Sequence, residues 1–171
     1  MNSRERVFRA LSGETPARVP LVEFVIDEKV RRAAMPAARD TADFMDRAGY
    51  DCVGCGARFE RVEEHADGTY VDEWGVRYLS GPEAVAHPLE GPIRTTEEAR
   101  SWIPPDPGAP HRLAALRDLV ARYRGRRAIC FHHRAAFMWS AYLTGLDRLL
   151  LDFLADPSFA EYVLDKVLDV N

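Results

Sequence analysis

Chemistry could reside in four places along the chain. Cys52-Val53-Gly54-Cys55 has the spacing of half a zinc or redox site. No second cysteine pair and no His-x3-His follows, and Cys130 stands alone, so the plain interpretation is two small residues at a strand end, with no metal ligand assigned. His132, His133 and Arg134 close a β-prone run that starts at Arg127. Adjacent strand residues point to opposite faces, so the two histidines cannot serve one metal without distortion, and one of them should face the interior. Substrate contact and a structural role are both open for these three residues. Glu23 and Asp27 flank the end of another apolar run, where they could act as an acid or a substrate anchor, or pair with the many arginines. Asp72-Glu73-Trp74-Gly75 reads as a structural turn in which Trp74 packs inward while the carboxylates face water.

The elements that would position these residues alternate between strand and helix. Asn2 and Glu5 form a capping-box pattern for a short helix that stops at Gly13. Val19 to Ile26 is almost continuously apolar and β-branched, as a strand buried on both faces would be. Asp40 can cap a helix through Phe44, Met45 and Ala48, and Tyr50 to Val53 reads as a second strand. From Arg58 to Tyr78, alternating residues around Asp67-Gly68 predict an antiparallel hairpin. Seven of the eleven prolines lie between Gly81 and Pro110, which leaves room only for short elements such as a helix capped by Thr95 or Thr96. His111 to Tyr123 is an amphipathic helix, Arg127 to His132 a third strand, and Phe137 to Tyr142 and Leu146 to Leu154 are helical. Asp156-Pro157 opens a last helix.

This alternation favours βαβ units and a parallel sheet. A length of 171 residues suits one domain. A net charge of -4, with both signs mixed along the chain, gives no field to attract nucleic acid or an anionic membrane. A small-molecule substrate is the expected partner. No 18-residue apolar run and no leader pattern occur, so a cytoplasmic location is expected, with three reduced cysteines. The phosphate-loop, dinucleotide-fold and nucleophile-elbow motifs are missing.

Several stretches, in order, resemble the N-terminal half of the uroporphyrinogen decarboxylase superfamily. They are Asn2 to Val7, Gly13 to Pro20, Asp72-Glu73-Trp74-Gly75 followed by His87-Pro88-Leu89, and Phe131 to Gly145 ending in Tyr142-Leu143-Thr144-Gly145. The resemblance implies an α/β fold in which residues 1–171 form the N-terminal part of a single TIM-barrel domain. About the first three βα units of the (β/α)8 barrel would be present, with residues 58–110 as a hairpin and proline-rich insertion. It also implies that Tyr142 lines the substrate pocket, and that His132, His133 or Arg134 stands at the active-site face.

The arginine-rich R-Q-A-G-R motif of the decarboxylases is replaced here by Phe24 to Lys29, and the Asp-Glu-Trp-Gly form is nearer the corrinoid methyltransferase branch. The expected function is thus zinc- and corrinoid-dependent methyl transfer to a thiol, with the zinc ligands and the contact to a corrinoid protein lying outside this half. Decarboxylation of a tetrapyrrolic or small acid is the alternative, and a non-catalytic half-barrel binding module is a third. An open set of three parallel strands would also leave Leu149, Leu150, Phe153, Val163 and Val167 short of partners, so self-association through exposed barrel edges is expected.

Overall fold

A computed structural model describes residues 1–81 and 85–170. Pro82, within the proline-rich stretch, and Asn171, at the end of the last helical pattern, lie outside the described residues. In chain order the helices are α1 (Ser3–Leu11), α2 (Glu28–Ala34), α3 (Thr41–Arg47), α4 (Thr96–Ser101), α5 (Ala114–Tyr123), α6 (Ala136–Thr144), α7 (Leu146–Ala155) and α8 (Pro157–Leu168). The strands are β1 (Cys52–Gly56), β2 (Arg61–Glu64), β3 (Thr69–Asp72), β4 (Arg77–Leu79), β5 (His87–Glu90) and β6 (Ala128–His132). They form a two-stranded parallel sheet, β1-β6, and a four-stranded antiparallel sheet, β2-β3-β4-β5. The fold is mixed α/β and divides into two compact units, Met1–Arg58 with Pro110–His133, and Phe59–Ala109 with the chain from Arg134 onward.

In unit 1, β1 and β6 pair in register from Cys52↔Ala128 to Gly56↔His132. Val53, fully buried, packs with Phe44 and Met45 of α3 and Leu119 and Tyr123 of α5, so these helices cover one face of the ladder. The caps are those the local chemistry dictates: Asn2 and Glu5 bond reciprocally, and Asp40 accepts from the Asp43 N–H at 2.8 Å. Asp51, with no exposure, accepts from the Leu21 N–H at 2.9 Å and pairs with Arg6 and Arg18. Burial alone would push its carboxyl up. The Leu21 N–H, the Ser3 hydroxyl and the charges of Arg6 and Arg18 outweigh that cost and hold it below the usual carboxylate range.

Two expectations for this unit are corrected. Val19 to Ile26 is not a strand: Leu21 is tied to Asp51 by its N–H and its carbonyl, but no ladder follows, and Val22, Phe24 and Val25 are exposed. A strand buried on both faces needs neighbours that the described residues do not supply. The parallel pair is therefore β1 with β6, and the described residues do not form three barrel strands. In addition α2, whose seven residues carry no apolar stripe, forms on the Asp27 cap.

Unit 2 is built on aromatic rings. Trp74, fully buried, stacks on Trp139 with centroids 4.2 Å apart, and Phe59 meets both edge-on. Trp102 also stacks on Trp74, at 5.8 Å, and donates its Nε1–H to the Trp74 carbonyl at 3.1 Å. The expected hairpin at Asp67-Gly68 is present as β2-β3, but it continues through β4 to β5. The edge strand β5 tolerates Pro88, opposite Tyr78. The apolar residues expected to lack partners divide. Leu149, Val163 and Val167 are buried, because α6, α7 and α8 pack on one another, whereas Leu150 and Phe153 stay exposed.

Gly91 is where the chain after β5 touches α6. A Cβ there would lie 2.1 Å from the Leu143 carbonyl oxygen, itself bonded to the Ile93 N–H at 3.0 Å. Replacing Gly91 with Ala should lower stability by about 3 kcal/mol or more, since backbone must move to admit the methyl group. Urea titration monitored by tryptophan fluorescence would show the midpoint fall. An unchanged midpoint would mean that the segment is not held against α6.

Candidate functional site

The Asp72-Glu73-Trp74-Gly75 motif turns the chain from β3 into β4. Asp72 Oδ1 accepts from the Trp74 and Val76 N–H groups at 3.0 and 3.1 Å, and Gly75 takes a φ of 77° that disfavours any side chain. The structural role read from sequence holds for Trp74, which is buried. Asp72, however, turns inward instead of facing water. Its reason is satisfaction: two backbone donors and the Tyr78 hydroxyl replace the water it loses.

This turn aligns a tyrosine cluster. Register places Tyr70 opposite Tyr78, stacked at 5.2 Å, and Tyr142 of α6 meets Tyr78 edge-on at 6.3 Å. Arg134, just ahead of α6, places its guanidinium 5.5 Å from the Tyr142 ring centre. It has no ion-pair partner among the described residues, and its side chain is exposed. Arg61 covers Tyr70 from the far edge of the sheet at 4.0 Å. A half-buried phenol beside an unpaired guanidinium can hold a carboxylate, sulfonate or phosphate oxygen and donate a hydrogen bond to it.

Of the residues singled out in the sequence, Arg134 and Tyr142 are therefore brought together. His132 and His133 belong to unit 1. The His132 ring lies along the glycines of β1, such that a Cβ at Gly56 would come 3.3 Å from its Nε2, and Phe24 meets the ring edge-on at 5.6 Å. His133 is exposed. Glu23, also exposed, accepts from the Phe24 N–H, and Asp27 caps α2 by accepting from the Lys29 N–H at 2.7 Å. Neither carboxylate belongs to the Arg134–Tyr142 pair. Tyr78 and Asp72 were missed as its neighbours. The available signal was the two-residue alternation on either side of the turn, which puts Tyr70 and Tyr78 at matching positions.

Desolvation pushes the Asp72 carboxyl up to about 6, against the pull of the Val76 N–H, the Tyr78 hydroxyl and the Trp74 N–H. Burial, next to the Asp72 charge, likewise raises the Tyr78 phenol. No family model, curated protein or solved structure matches the chain. No helix among the described residues is long and apolar enough to cross a membrane.

A carboxyl raised from 3.8 in the folded state favours folding most when protonated, below about pH 4, and loses that advantage as pH climbs through about 6. Asp72→Asn keeps the acceptor oxygen and removes the charge. Its stability relative to the native chain should thus rise by about 3 kcal/mol between pH 4 and 8, as read from thermal melts across that range. A constant difference would show that Asp72 ionises normally.

Proposed function

We propose that this chain is part of a uroporphyrinogen decarboxylase-like barrel enzyme of the branch that methylates thiols using zinc and a corrinoid partner, and that Arg134 and Tyr142 hold the anionic end of its substrate. The observation that carries the substrate assignment is the exposed, unpaired Arg134 guanidinium over the half-buried Tyr142 ring. The Asp-Glu-Trp-Gly turn and the lack of an arginine cluster between Phe24 and Lys29 support the thiol-methylating branch over a tetrapyrrole decarboxylase. The binding site requires a small anion: one arginine and one phenol match a single carboxylate or sulfonate, not the many acid groups of a porphyrinogen.

The protein from its complete reading frame, supplied with zinc, methylcobalamin and an anionic thiol, should demethylate the cobalamin. No turnover and no bound zinc would refute the methyl-transfer assignment. Arg134→Gln should raise KM for the anionic thiol by about 10- to 100-fold while changing kcat little, because a charge-assisted hydrogen bond to the substrate's distal end stabilises ground and transition states alike. An unchanged KM would remove Arg134 from the site.

Self-association through a second copy fits the same reading. Val19, Phe24 and Val25 are 84, 54 and 50% exposed in a segment with no ladder partner. Sedimentation velocity across a concentration series should show oligomers that Phe24→Glu weakens. A monomer at every concentration would end this part of the proposal.

A further inference from the structure

The face of the β1-β6 ladder that carries His132 also carries two thiols. Parallel register sets Gly54 opposite Cys130 and Cys52 opposite Ala128, and side chains two apart share a face. Cys52, Cys130 and His132 therefore project to one side, whereas Val53 and Cys55 project to the other, where they pack against the α3 and α5 core. Cys52 and Cys130 are diagonal neighbours on adjoining strands. Gly54 lies close against Cys130: a Cβ there would press to 3.2 Å from the Cys130 carbonyl oxygen.

The register of the ladder sets the two side chains near one another, and the Cys52 Sγ–H donates to the Val53 carbonyl at 3.4 Å. Both cysteines are free, Cys52 being 4% exposed and Cys130 half-buried. Beyond them on the same face, His132 Nδ1 is buried with no hydrogen-bond partner among the described residues. A pair of neighbouring thiols, one buried and one half-buried, with an imidazole nitrogen lacking a partner among the described residues further along, suits a soft monovalent cation. Such an ion is content with two sulfur ligands and needs little hydration, whereas zinc would require four ligands.

We propose that Cys52 and Cys130 form a two-thiolate site for a soft monovalent cation of the copper(I) class. Binding replaces two S–H bonds with two S–Cu bonds and releases both protons to solvent, with no change in oxidation state of sulfur or metal. Because both thiols must lose their protons to bind the metal, affinity should strengthen as pH rises.

The test is an anaerobic titration of the reduced full chain with copper(I) against a chromophoric copper(I) chelator, with thiolate-to-copper absorption in the near ultraviolet as a second readout. One equivalent should be withdrawn from the chelator, and the absorption should saturate at that point. Cys52→Ala and Cys130→Ser should each weaken binding by more than about 100-fold, the loss of a direct ligand exceeding that of an outer-shell partner. Cys55→Ser should bind as the native chain does. Circular dichroism melts would establish that each variant is folded. Should either single variant misfold, alkylation protection settles the matter in the native chain: one equivalent of copper(I) should shield the half-buried Cys130 from a thiol reagent, with Cys55 still labelled. No copper withdrawn, equal binding by folded Cys130→Ser, or protection centred on Cys55 would each overturn the proposal.

Discussion

The buried carboxylate of Asp51 sets the terms on which unit 1 folds, since a charge without solvent must be met by donors and countercharges. Arg6 brings α1 to the base of β1, Arg18 fixes the turn that follows, and Leu21 is bound through both its N–H and its carbonyl. Further along that anchored segment, Phe24 reaches the His132 ring. Thus a residue one position ahead of β1 governs what lies over the end of β6. Arg127 adds a second tie, bonding Asp46 in the last turn of α3 and Ser3 at the start of α1. Removing Asp51 would leave the Arg6 guanidinium, 14% exposed, as a charge with too little water.

Unit 2 solves a different problem. Its antiparallel sheet is small and its helices are short, so the stabilising area comes from large flat rings, with both Trp139 and Trp102 stacked on Trp74. Positioning of the candidate site follows from this stack. Trp139 and Tyr142 lie one turn apart on α6, and fixing the indole fixes where the phenol points.

What the sequence made legible was local. Caps at Asn2, Asp40, Thr95 and Asp156 depend on contacts within a few residues, and all four form. The Asp67-Gly68 hairpin is equally short-range, and the run ending at His132 became β6, whereas the expected strand Tyr50 to Val53 overlaps β1 only at Cys52 and Val53, β1 running on to Gly56. Val19 to Ile26 shows the limit: its composition is that of a strand, but a ladder is a relation between distant segments, which composition cannot report. The inward turn of Asp72 was hidden for the same reason, because the Tyr78 hydroxyl that receives it lies across the turn on β4. Arg134 and Tyr142 were each singled out on separate grounds. Arg134 precedes the extended cap residue Ala135, so no helical spacing in the sequence linked it to Tyr142.

The parallel ladder of unit 1 imposes an order on assembly. β1 is made early and β6 late, with all of residues 59–109 between them, so β1 must wait with only α3 available to its core face and its ladder partner unmade. The antiparallel strands β2, β3 and β4, by contrast, close through short turns as soon as their residues emerge. During synthesis the first sheet to mature therefore belongs to the second unit. The exposed thiol-bearing side of β1 is, for that interval, a nascent edge that chaperones would have to shield.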